Sequence, residues 1–341
     1  MSRFFSSALS HLSPYTPGEQ PLTSYIKLNT NESPFPPAAH AELSLQLYPD
    51  PECRALREAF SKELGVSPSN LIFTNGSDEA LAFIFLSLCE RGAAFPDLTY
   101  GFYSVYADLF RVPKKIIPLR EDFTLALSDY AGLSETLFIA NPNAPTGLAH
   151  TCAELEALIA ENPDRLVVVD EAYVDFGGES AVPLIARYDN LLVVGTFSKS
   201  RSLAGARLGY AVGNCELIAD LYRVKFSFNP YSVNRAALEA GLAAVQNRAY
   251  FEENCAAVQK TRAALTAALR AQGFRVLESL ANFVFASPPD GDGRRYYEAL
   301  RARGVLVRYF DSERCRPFVR ITVGSDDQID ALIRATKEYL K

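Results

Sequence analysis

The sequence predicts an α/β fold, in which a large domain built on a mainly parallel sheet flanked by helices precedes a smaller α+β domain. The chain has 341 residues, enough for about two domains. In the first two thirds, apolar runs rich in β-branched residues alternate with helical stretches, which is typical of parallel strands buried on both faces. Beyond residue 231, two long helical patterns come before short strand patterns, which indicates an α+β unit.

Residues 1–35 are predicted to form an irregular N-terminal arm, because this proline-rich stretch lacks backbone donors that helices and central strands need. We place the large domain at 36–231 and the small domain at 232–341.

A helix that ends at Gly65 begins the regular part of the large domain, since Leu56, Phe60 and Leu64 recur at a spacing of four. Short apolar runs bounded by polar residues or glycine then indicate strands. The predicted strands of the large domain are 71–74, 136–140, 166–170, 191–196 and 208–213. The small domain is predicted to contain helices at 233–245, 250–272, 293–303 and 325–340 and strands at 275–277, 283–286, 305–308 and 318–323.

Composition and charge exclude several classes of protein. The formal net charge is -6, with no basic block that could neutralise a run of phosphates, which argues against a nucleic-acid partner. No apolar run approaches the roughly 20 residues of a membrane helix, and the N-terminal segment lacks the apolar core of a secretion signal. The six cysteines form no CxxC pair, and the three histidines form no HExxH motif, so no metal site is expected. We therefore expect a cytoplasmic protein with reduced thiols and no membrane partner.

Polar side chains follow four of the predicted strands. In open parallel sheets, ligands bind beyond the carboxyl ends of the strands, so these side chains should meet in one crevice. They are Asn75, Gly76, Ser77 and Asp78; Asn141 and Asn143; Asp170, Glu171 and Tyr173; and Thr196, Ser198 and Lys199.

These positions also allow plain structural interpretations. The NGSDE run at 75–79 could simply cap a helix, or its backbone donors and the helix dipole could hold a phosphate. Asp170 could be a solvated strand end, and Lys199 could be an exposed loop cation. The FSKSRSLAGAR run at 197–207 favours a binding site, because its small residues let the backbone approach an anion that Arg207 could bind.

Ten segments, taken in order, match the motifs of one enzyme family. They are LSPYTPGEQ (12–20), IKLNTNESPF (26–35), YPDP (48–51), FTNGSDEA (73–80), LTYGFY (98–103), NPNAPTG (141–147), VVVDEAYVDF (167–176), TFSKSRSLAGARLGY (196–210), ANFVF (281–285) and FVRITVG (318–324). With these segments the chain resembles the fold-type I enzymes that use pyridoxal 5'-phosphate (PLP), in the class I/II aminotransferase group, and within it the histidinol-phosphate aminotransferases. The resemblance spans nearly the whole chain.

The resemblance implies a seven-stranded sheet in the large domain and PLP as the cofactor. Lys199 would bond covalently to the PLP aldehyde and later act as the general base. Asp170 would pair with the pyridine nitrogen and keep it protonated. Tyr173 and Asn143 would hydrogen-bond the phenolic oxygen of the ring, and Tyr100 would stack on the ring face.

The PLP phosphate would lie on the backbone donors of Ser77 and Asp78. Thr196 and Ser198 would add hydroxyl groups, and Arg207 a bidentate cation.

The resemblance also implies a homodimer, because Tyr48 would reach the PLP phosphate of the neighbouring subunit. From the sequence alone, Tyr48 could instead be a core residue before a turn. Arg308, Arg320 and Tyr15, together with Asn143, would bind the substrate. By strand alternation Arg320 can face the crevice while its neighbours pack, whereas Arg308 could instead be a surface cation.

The reaction implied is a ping-pong transamination in histidine biosynthesis. L-Histidinol phosphate and 2-oxoglutarate would give imidazole-acetol phosphate and glutamate. A PLP lyase such as a threonine-phosphate decarboxylase, an aromatic amino acid aminotransferase and a catalytically silent PLP-fold binding protein are the alternatives.

The sequence departs from the family pattern at three places. Ala144 replaces the second Asn of an NPNNPTG loop, Leu98 replaces a proline, and 200–202 read Ser-Arg-Ser where Ala-Phe-Gly is commoner. We expect Arg201 to bring an additional positive charge near the site, which bears on the choice of substrate.

Overall fold

The computed structural model describes residues 1–11, 13 and 44–341. Tyr15 and most of the predicted N-terminal arm therefore lie outside the described residues. The described part of the chain contains two sheets and nine α-helices.

The large sheet has seven strands, as the resemblance implied. They are β1 (Leu71–Asn75), β2 (Ala93–Pro96), β3 (Lys114–Ile117), β4 (Thr136–Ala140), β5 (Val167–Asp170), β6 (Leu191–Thr196) and β7 (Leu208–Gly213). Their spatial order is β1-β7-β6-β5-β4-β2-β3. Strands β2 to β6 pair in parallel, and β7 is antiparallel to both of its neighbours. The prediction of a mainly parallel sheet is confirmed.

Alternate residues of the central strands pack into two separate cores, which explains why these strands are apolar throughout. Val167 and Val169 of β5 belong to one core cluster, while Val168 belongs to the other. Residues of the flanking helices pack into both clusters, as expected for a parallel sheet. The helices before residue 229 are α1 (Arg54–Leu64), α2 (Ser77–Ser87), α3 (Phe102–Leu109), α4 (Cys152–Glu161) and α5 (Cys215–Phe228).

The sequence analysis missed two strands, β2 and β3. Strand β3 lies at the edge of the sheet and begins with two exposed lysines, so it has no continuous apolar run. Strand β2 is buried but has only four residues, the last of them a proline. Neither carries the pattern of a buried parallel strand.

A second, antiparallel sheet forms the small α+β unit. Its strands are β8 (Arg275–Val276), β9 (Phe283–Ser287), β10 (Arg308–Tyr309) and β11 (Val319–Thr322), in the order β10-β11-β9-β8. The helices of the C-terminal part are α6 (Arg235–Gln246), α7 (Arg248–Ala271), α8 (Gly293–Ala302) and α9 (Asp326–Tyr339). Helix α6 contributes Ala237 and Val245 to a core cluster of the large sheet. The boundary at 231/232 remains a prediction.

An aromatic cluster joins the two units. Phe123, on a loop of the large unit, packs edge-on against Phe285 of β9 and Phe318, which directly precedes β11, at centroid distances of 5.9 and 5.2 Å. Arg314 of the small unit lies over the Phe123 ring and forms an ion pair of 2.8 Å with Asp97, which follows β2. The two units are thus held together by both apolar and charged contacts.

The described residues contain neither a candidate membrane span nor a candidate metal site. No described helix combines the length and apolar character needed to cross a membrane. No group of three or more His, Cys, Asp or Glu side chains in the described ranges could hold a metal ion.

Candidate active site

A cleft lies at the carboxyl ends of the parallel strands, and most of the predicted site residues line it. Loops after β1, β4, β5 and β6 meet at this edge of the sheet, as the strand order requires. The lining residues that the sequence analysis singled out are Ser77, Asp78, Tyr100, Asp170, Tyr173, Thr196, Ser198, Lys199 and Arg207.

The start of helix α2 forms one wall of the cleft. Gly76 precedes the helix with φ 79°, a backbone conformation that favours glycine. Gly209 of β7 lets this turn approach the sheet, since a Cβ atom on Gly209 would collide with the Ser77 amide nitrogen. The free amides of the first helical turn can therefore bind an anion in the cleft.

Arg207 faces the start of this helix. Its Nη2 donates to Asp78 Oδ2 at 2.9 Å, and Tyr100 Oη donates to Asp78 Oδ1 at 2.7 Å. Arg207 Nη1 also lies 3.5 Å from Ser198 Oγ, whose neighbour Thr196 Oγ1 is 2.9 Å away. The Asp78 carboxylate thus orients both Arg207 and Tyr100, a role that sequence reasoning missed because it considered only the Asp78 amide.

Asp170 lies at the end of β5 and is only 5% exposed. Its carboxylate accepts hydrogen bonds from Tyr103 Oη at 2.8 Å and from the Ala172 amide at 3.1 Å. Burial raises the pKa of Asp170 to about 6, although both hydrogen bonds act in the opposite direction. A buried carboxylate of this kind is ready to pair with a cationic group of a ligand.

Tyr103 was not predicted as a site residue. Its side chain is fully buried, and its hydroxyl orients Asp170. Tyr103 lies in the first turn of α3, and its ring packs edge-on against Tyr100 at a centroid distance of 5.7 Å.

Lys199 projects from the loop after β6 and is exposed to the cleft. Desolvation, followed by the nearby Arg320 guanidinium, lowers the pKa of the Lys199 amine, while the Asp78 carboxylate opposes this shift. The Nζ atom lies 5.7 Å from the centroid of the Tyr173 ring. A lowered pKa increases the fraction of neutral amine, the form that acts as nucleophile and base.

Asn143 is buried near the cleft, next to Leu98. Its Nδ2 donates to the Leu98 carbonyl at 3.0 Å and to Thr146 Oγ1 at 3.1 Å. Its Oδ1 is buried without a hydrogen-bond partner among the described residues. An unsatisfied buried amide oxygen is unfavourable, so this atom is available to a ligand.

The two arginines predicted to bind substrate are direct neighbours. Arg308 of β10 and Arg320 of β11 stand opposite each other in the antiparallel register. Both guanidinium groups lie against the ring of Phe310, at 5.4 and 5.6 Å from its centroid. Like charges placed directly opposite repel, so this pair favours binding an anion. Sequence reasoning missed Phe310, which a search for charged residues does not detect.

The strand alternation predicted for Arg320 is present. Val319 and Ile321 are buried, whereas Arg320 is partly exposed and its guanidinium lies 5.2 Å from the Phe283 ring centroid. Of the positive charges that lower the pKa of Lys199, Arg320 has the largest effect.

Tyr48 is not among the residues that line the cleft of its own chain. It is 47% exposed, and its ring stacks on Tyr231 at a centroid distance of 4.5 Å. The interpretation of Tyr48 as a core residue is therefore wrong. Its exposed position is compatible with a contact to another subunit.

Arg201 does not bring its charge to the cleft, and that expectation is wrong. Its side chain is 5% exposed and forms an ion pair with Glu63 of α1. The guanidinium also donates to the Ala244 carbonyl at 3.1 Å and stacks on Phe251 at 3.6 Å. The charge is thus neutralised on the far side of the lysine loop, where α1, α6 and α7 meet.

Known proteins resemble this chain over its full length. The family model for class I and II aminotransferases matches residues 16–335. Histidinol-phosphate aminotransferase of Brachyspira hyodysenteriae is 44% identical over 353 aligned residues, covering 100% of each chain. Histidinol-phosphate aminotransferase 1 of Bordetella parapertussis is 49% identical over 352 aligned residues, covering 99% of each chain.

A solved structure shows the same fold. The crystal structure of histidinol-phosphate aminotransferase from Sinorhizobium meliloti, in complex with pyridoxal-5'-phosphate, superposes with a TM-score of 0.78 at 24% identity. The match covers 91% of this chain and 89% of that one. The chain therefore belongs to the class I and II aminotransferases and, within them, to the histidinol-phosphate aminotransferase family.

Proposed function

We propose that this protein transfers the amino group of L-histidinol phosphate to 2-oxoglutarate with PLP as cofactor, giving imidazole-acetol phosphate and glutamate in histidine biosynthesis. One observation carries the proposal. The amine of Lys199, with its lowered pKa, faces the same cleft as the buried Asp170 carboxylate and the open amides at the start of α2. An amine, a carboxylate and an anion site are the three groups that PLP needs.

The cleft residues fit the parts of PLP. Asp170 would hold the pyridine nitrogen, since a buried carboxylate favours the protonated ring. Tyr173 and Asn143 would bind the phenolic oxygen. Tyr100, whose hydroxyl is held by Asp78, would stack on the ring. When bound, PLP acts as the electron sink for the substrate carbanion.

The phosphate of PLP would occupy the anion site at the start of α2. The Ser77 and Asp78 amides would donate to its oxygens, with the hydroxyls of Thr196 and Ser198 beside them. Arg207 would contribute its guanidinium, which Asp78 already orients toward this turn.

Gly209→Ala tests this anion site. The new methyl group would collide with the Ser77 amide, so α2 must move away from β7. Forced overpacking of this kind typically costs about 1–3 kcal/mol, and we expect the PLP dissociation constant to rise about tenfold or more. The matched control is Gly205→Ala, because a Cβ atom on Gly205 meets nothing within 4 Å. Equal PLP affinities for the two variants in equilibrium dialysis would refute this account of the anion site.

Lys199 would carry out the proton transfer. Its amine would hold the cofactor through the PLP aldehyde until the amine of the substrate takes that place. The freed Nζ would then accept the proton from the substrate Cα, a role that requires the neutral amine that the cleft environment favours.

Arg308 and Arg320 would bind the substrate anion, together with Tyr15. In one half-reaction the anion is the phosphate of histidinol phosphate, and in the other it is a carboxylate of 2-oxoglutarate. Both oxyanions fit the donor fork of a guanidinium, so a single arginine pair can serve both halves.

Replacing Arg320 by glutamine should therefore raise the KM of both substrates. Loss of a charge-assisted hydrogen bond costs about 1.5–3 kcal/mol, which corresponds to a KM increase of roughly 10- to 100-fold. Arg301→Gln, on the exposed face of α8, is the matched control. Steady-state kinetics with each substrate varied in turn provides the measurement. A rise in only one of the two KM values would contradict the shared site.

We further propose that the protein works as a homodimer in the cytoplasm, with Tyr48 binding the PLP phosphate of the neighbouring subunit. The exposed position of Tyr48, outside the cleft of its own chain, supports this assignment. Sedimentation analysis of the purified protein would test the dimer.

The activity is tested by supplying 2-oxoglutarate with histidinol phosphate and measuring glutamate. The same assay with phenylalanine or tyrosine as amino donor distinguishes an aromatic aminotransferase. Release of carbon dioxide from threonine phosphate, without glutamate formation, would instead indicate the lyase. If the purified protein is colourless and carries no PLP after borohydride reduction, it is the silent binding protein, and the proposal is overturned.

A further inference from the structure

Lys225 is a buried cation for which the proposed reaction has no use. It lies in the last turn of α5 and is only 1% exposed. Its Nζ donates to the carbonyl oxygens of Pro51 and Phe73, both at 3.0 Å. Among the residues described, no carboxylate forms an ion pair with it. Burying a lysine against two neutral acceptors is unfavourable compared with an apolar side chain of similar length. Lys225 therefore contributes a link between the Pro51 and Phe73 carbonyls that an apolar side chain could not make.

The two segments that Lys225 joins both lead to a phosphate-binding element. Phe73 belongs to β1, and the anion site begins four residues later at Ser77. Pro51 ends the YPDP segment, which begins at Tyr48. Lys225 thus connects the strand that carries the anion site of its own chain to the segment that carries Tyr48.

Other contacts of the Tyr48 segment lead back to the same region. Arg235 Nη2 donates to the Tyr48 carbonyl at 3.2 Å, and the Tyr48 ring stacks on Tyr231. The next residue, Ser232, donates to Glu79 Oε2 at 2.7 Å, and Glu79 lies in the first turn of α2. These contacts hold the segment around Tyr48 in a fixed position, while the Tyr48 ring remains exposed.

We propose that Lys225 is a positioning residue for the active site of the neighbouring subunit. By holding the Pro51 carbonyl against β1, it fixes Tyr48 at the place from which it reaches the PLP phosphate across the dimer. This inference rests on the proposed dimer and on the proposed role of Tyr48.

The first test measures PLP affinity in the homodimer. Lys225→Met should raise the PLP dissociation constant about tenfold, as expected for the loss of roughly one hydrogen bond to the phosphate. The kcat at saturating PLP should stay within about twofold, because no group that touches the substrate changes. If the methionine variant does not fold, Lys225→Gln retains one amide donor and provides the same measurement.

The matched control is Arg165→Met, which also removes a buried cation. Arg165 is fully buried and donates to the Tyr130 and Leu158 carbonyls, at 2.7 and 2.8 Å. It precedes β5, at the end of the sheet opposite to the cleft. Both variants should lose stability, but only the Lys225 variant should bind PLP more weakly. Equal PLP affinities in the two variants would overturn the proposal.

Hybrid dimers test whether Lys225 acts across the subunit boundary. One chain carries Lys199→Ala, so that only the other chain can bond PLP covalently. When Lys225→Met is on the Lys199→Ala chain, the functional site receives Tyr48 from the altered segment, and its PLP affinity should fall. When Lys225→Met is on the chain with the intact lysine, the affinity should be normal. The PLP bound to the intact chain is measured by borohydride reduction and mass spectrometry, and weakening in the second hybrid would show that Lys225 acts within its own chain.

Tyr48→Phe separates failure of this inference from failure of the proposed function. If Tyr48→Phe leaves PLP affinity unchanged, or if hybrids do not form, the assigned role of Tyr48 or the dimer is wrong. If Tyr48→Phe weakens binding, the double variant with Lys225→Met should bind no more weakly than Tyr48→Phe alone, since both changes remove one interaction. Additive effects would refute the positioning role.

Discussion

Lys199→Ala should abolish turnover, with kcat falling by about four orders of magnitude or more. The variant loses both the covalent attachment point for the cofactor and the base that moves the Cα proton, and general-base catalysis alone contributes about 10²- to 10⁴-fold. No other lysine lines the cleft among the described residues, so no neighbouring amine can replace it. The measurement is glutamate formation from histidinol phosphate and 2-oxoglutarate, together with the mass of the protein after borohydride reduction.

The control for this prediction is Lys114→Ala. Lys114 begins the edge strand β3, and its amine pairs with Asp108 at 2.6 Å, away from the cleft. This variant should retain full activity and should still gain the mass of reduced PLP. If the Lys199 variant were labelled by borohydride at another lysine and turned over at a similar rate, the assignment of Lys199 would be wrong.

Arg201→Phe should lower the free energy of unfolding by about 3–5 kcal/mol, because it leaves the Glu63 carboxylate buried without its partner. The Glu63 side chain is only 15% exposed, so water cannot replace the guanidinium fully. Phenylalanine is the commoner residue of the family pattern here, so the substitution is sterically ordinary and the expected loss is electrostatic. Urea unfolding without cofactor, at one fixed protein concentration, provides the measurement.

The double variant Glu63→Leu with Arg201→Phe tests this explanation. With both charges removed, much of the lost stability should return, because apolar side chains can replace a buried ion pair. Arg248→Ala is the control for an ordinary ion pair, since Arg248 and Glu252 are both exposed, and it should leave the urea midpoint almost unchanged. A double variant less stable than Arg201→Phe alone would show that the loss arises from packing.

The sequence predicted the central strands well because each lies between two apolar layers. The strands β4, β6 and β7 begin and end at the predicted residues, since a strand buried on both faces is apolar from end to end. The predicted strand at 305–308 instead begins at Arg308. Its valines pack from an irregular segment, and apolar character alone cannot distinguish such a segment from a strand.

The sequence predicted those site residues that act directly on a ligand and lie within a recognisable motif. Asp170 ends β5, Lys199 follows β6 and Arg207 directly precedes the antiparallel β7, so all three lie at one edge of the sheet and line the cleft. Partners that act through these residues were not predictable, because their contacts depend on packing between distant segments. Tyr103 orients Asp170 across 67 positions of sequence, and Glu63 neutralises Arg201 across 138.

The cluster around Phe123 has a consequence for work with fragments of this protein. A truncated large unit ending at residue 231 would lose Phe285, Phe318 and Arg314, which cover and flank the Phe123 ring. It would also lose α6, and with it part of its own core. Such a fragment would expose a contiguous apolar surface and would self-associate during expression. Ligand soaking or labelling for spectroscopy should therefore begin from the intact polypeptide.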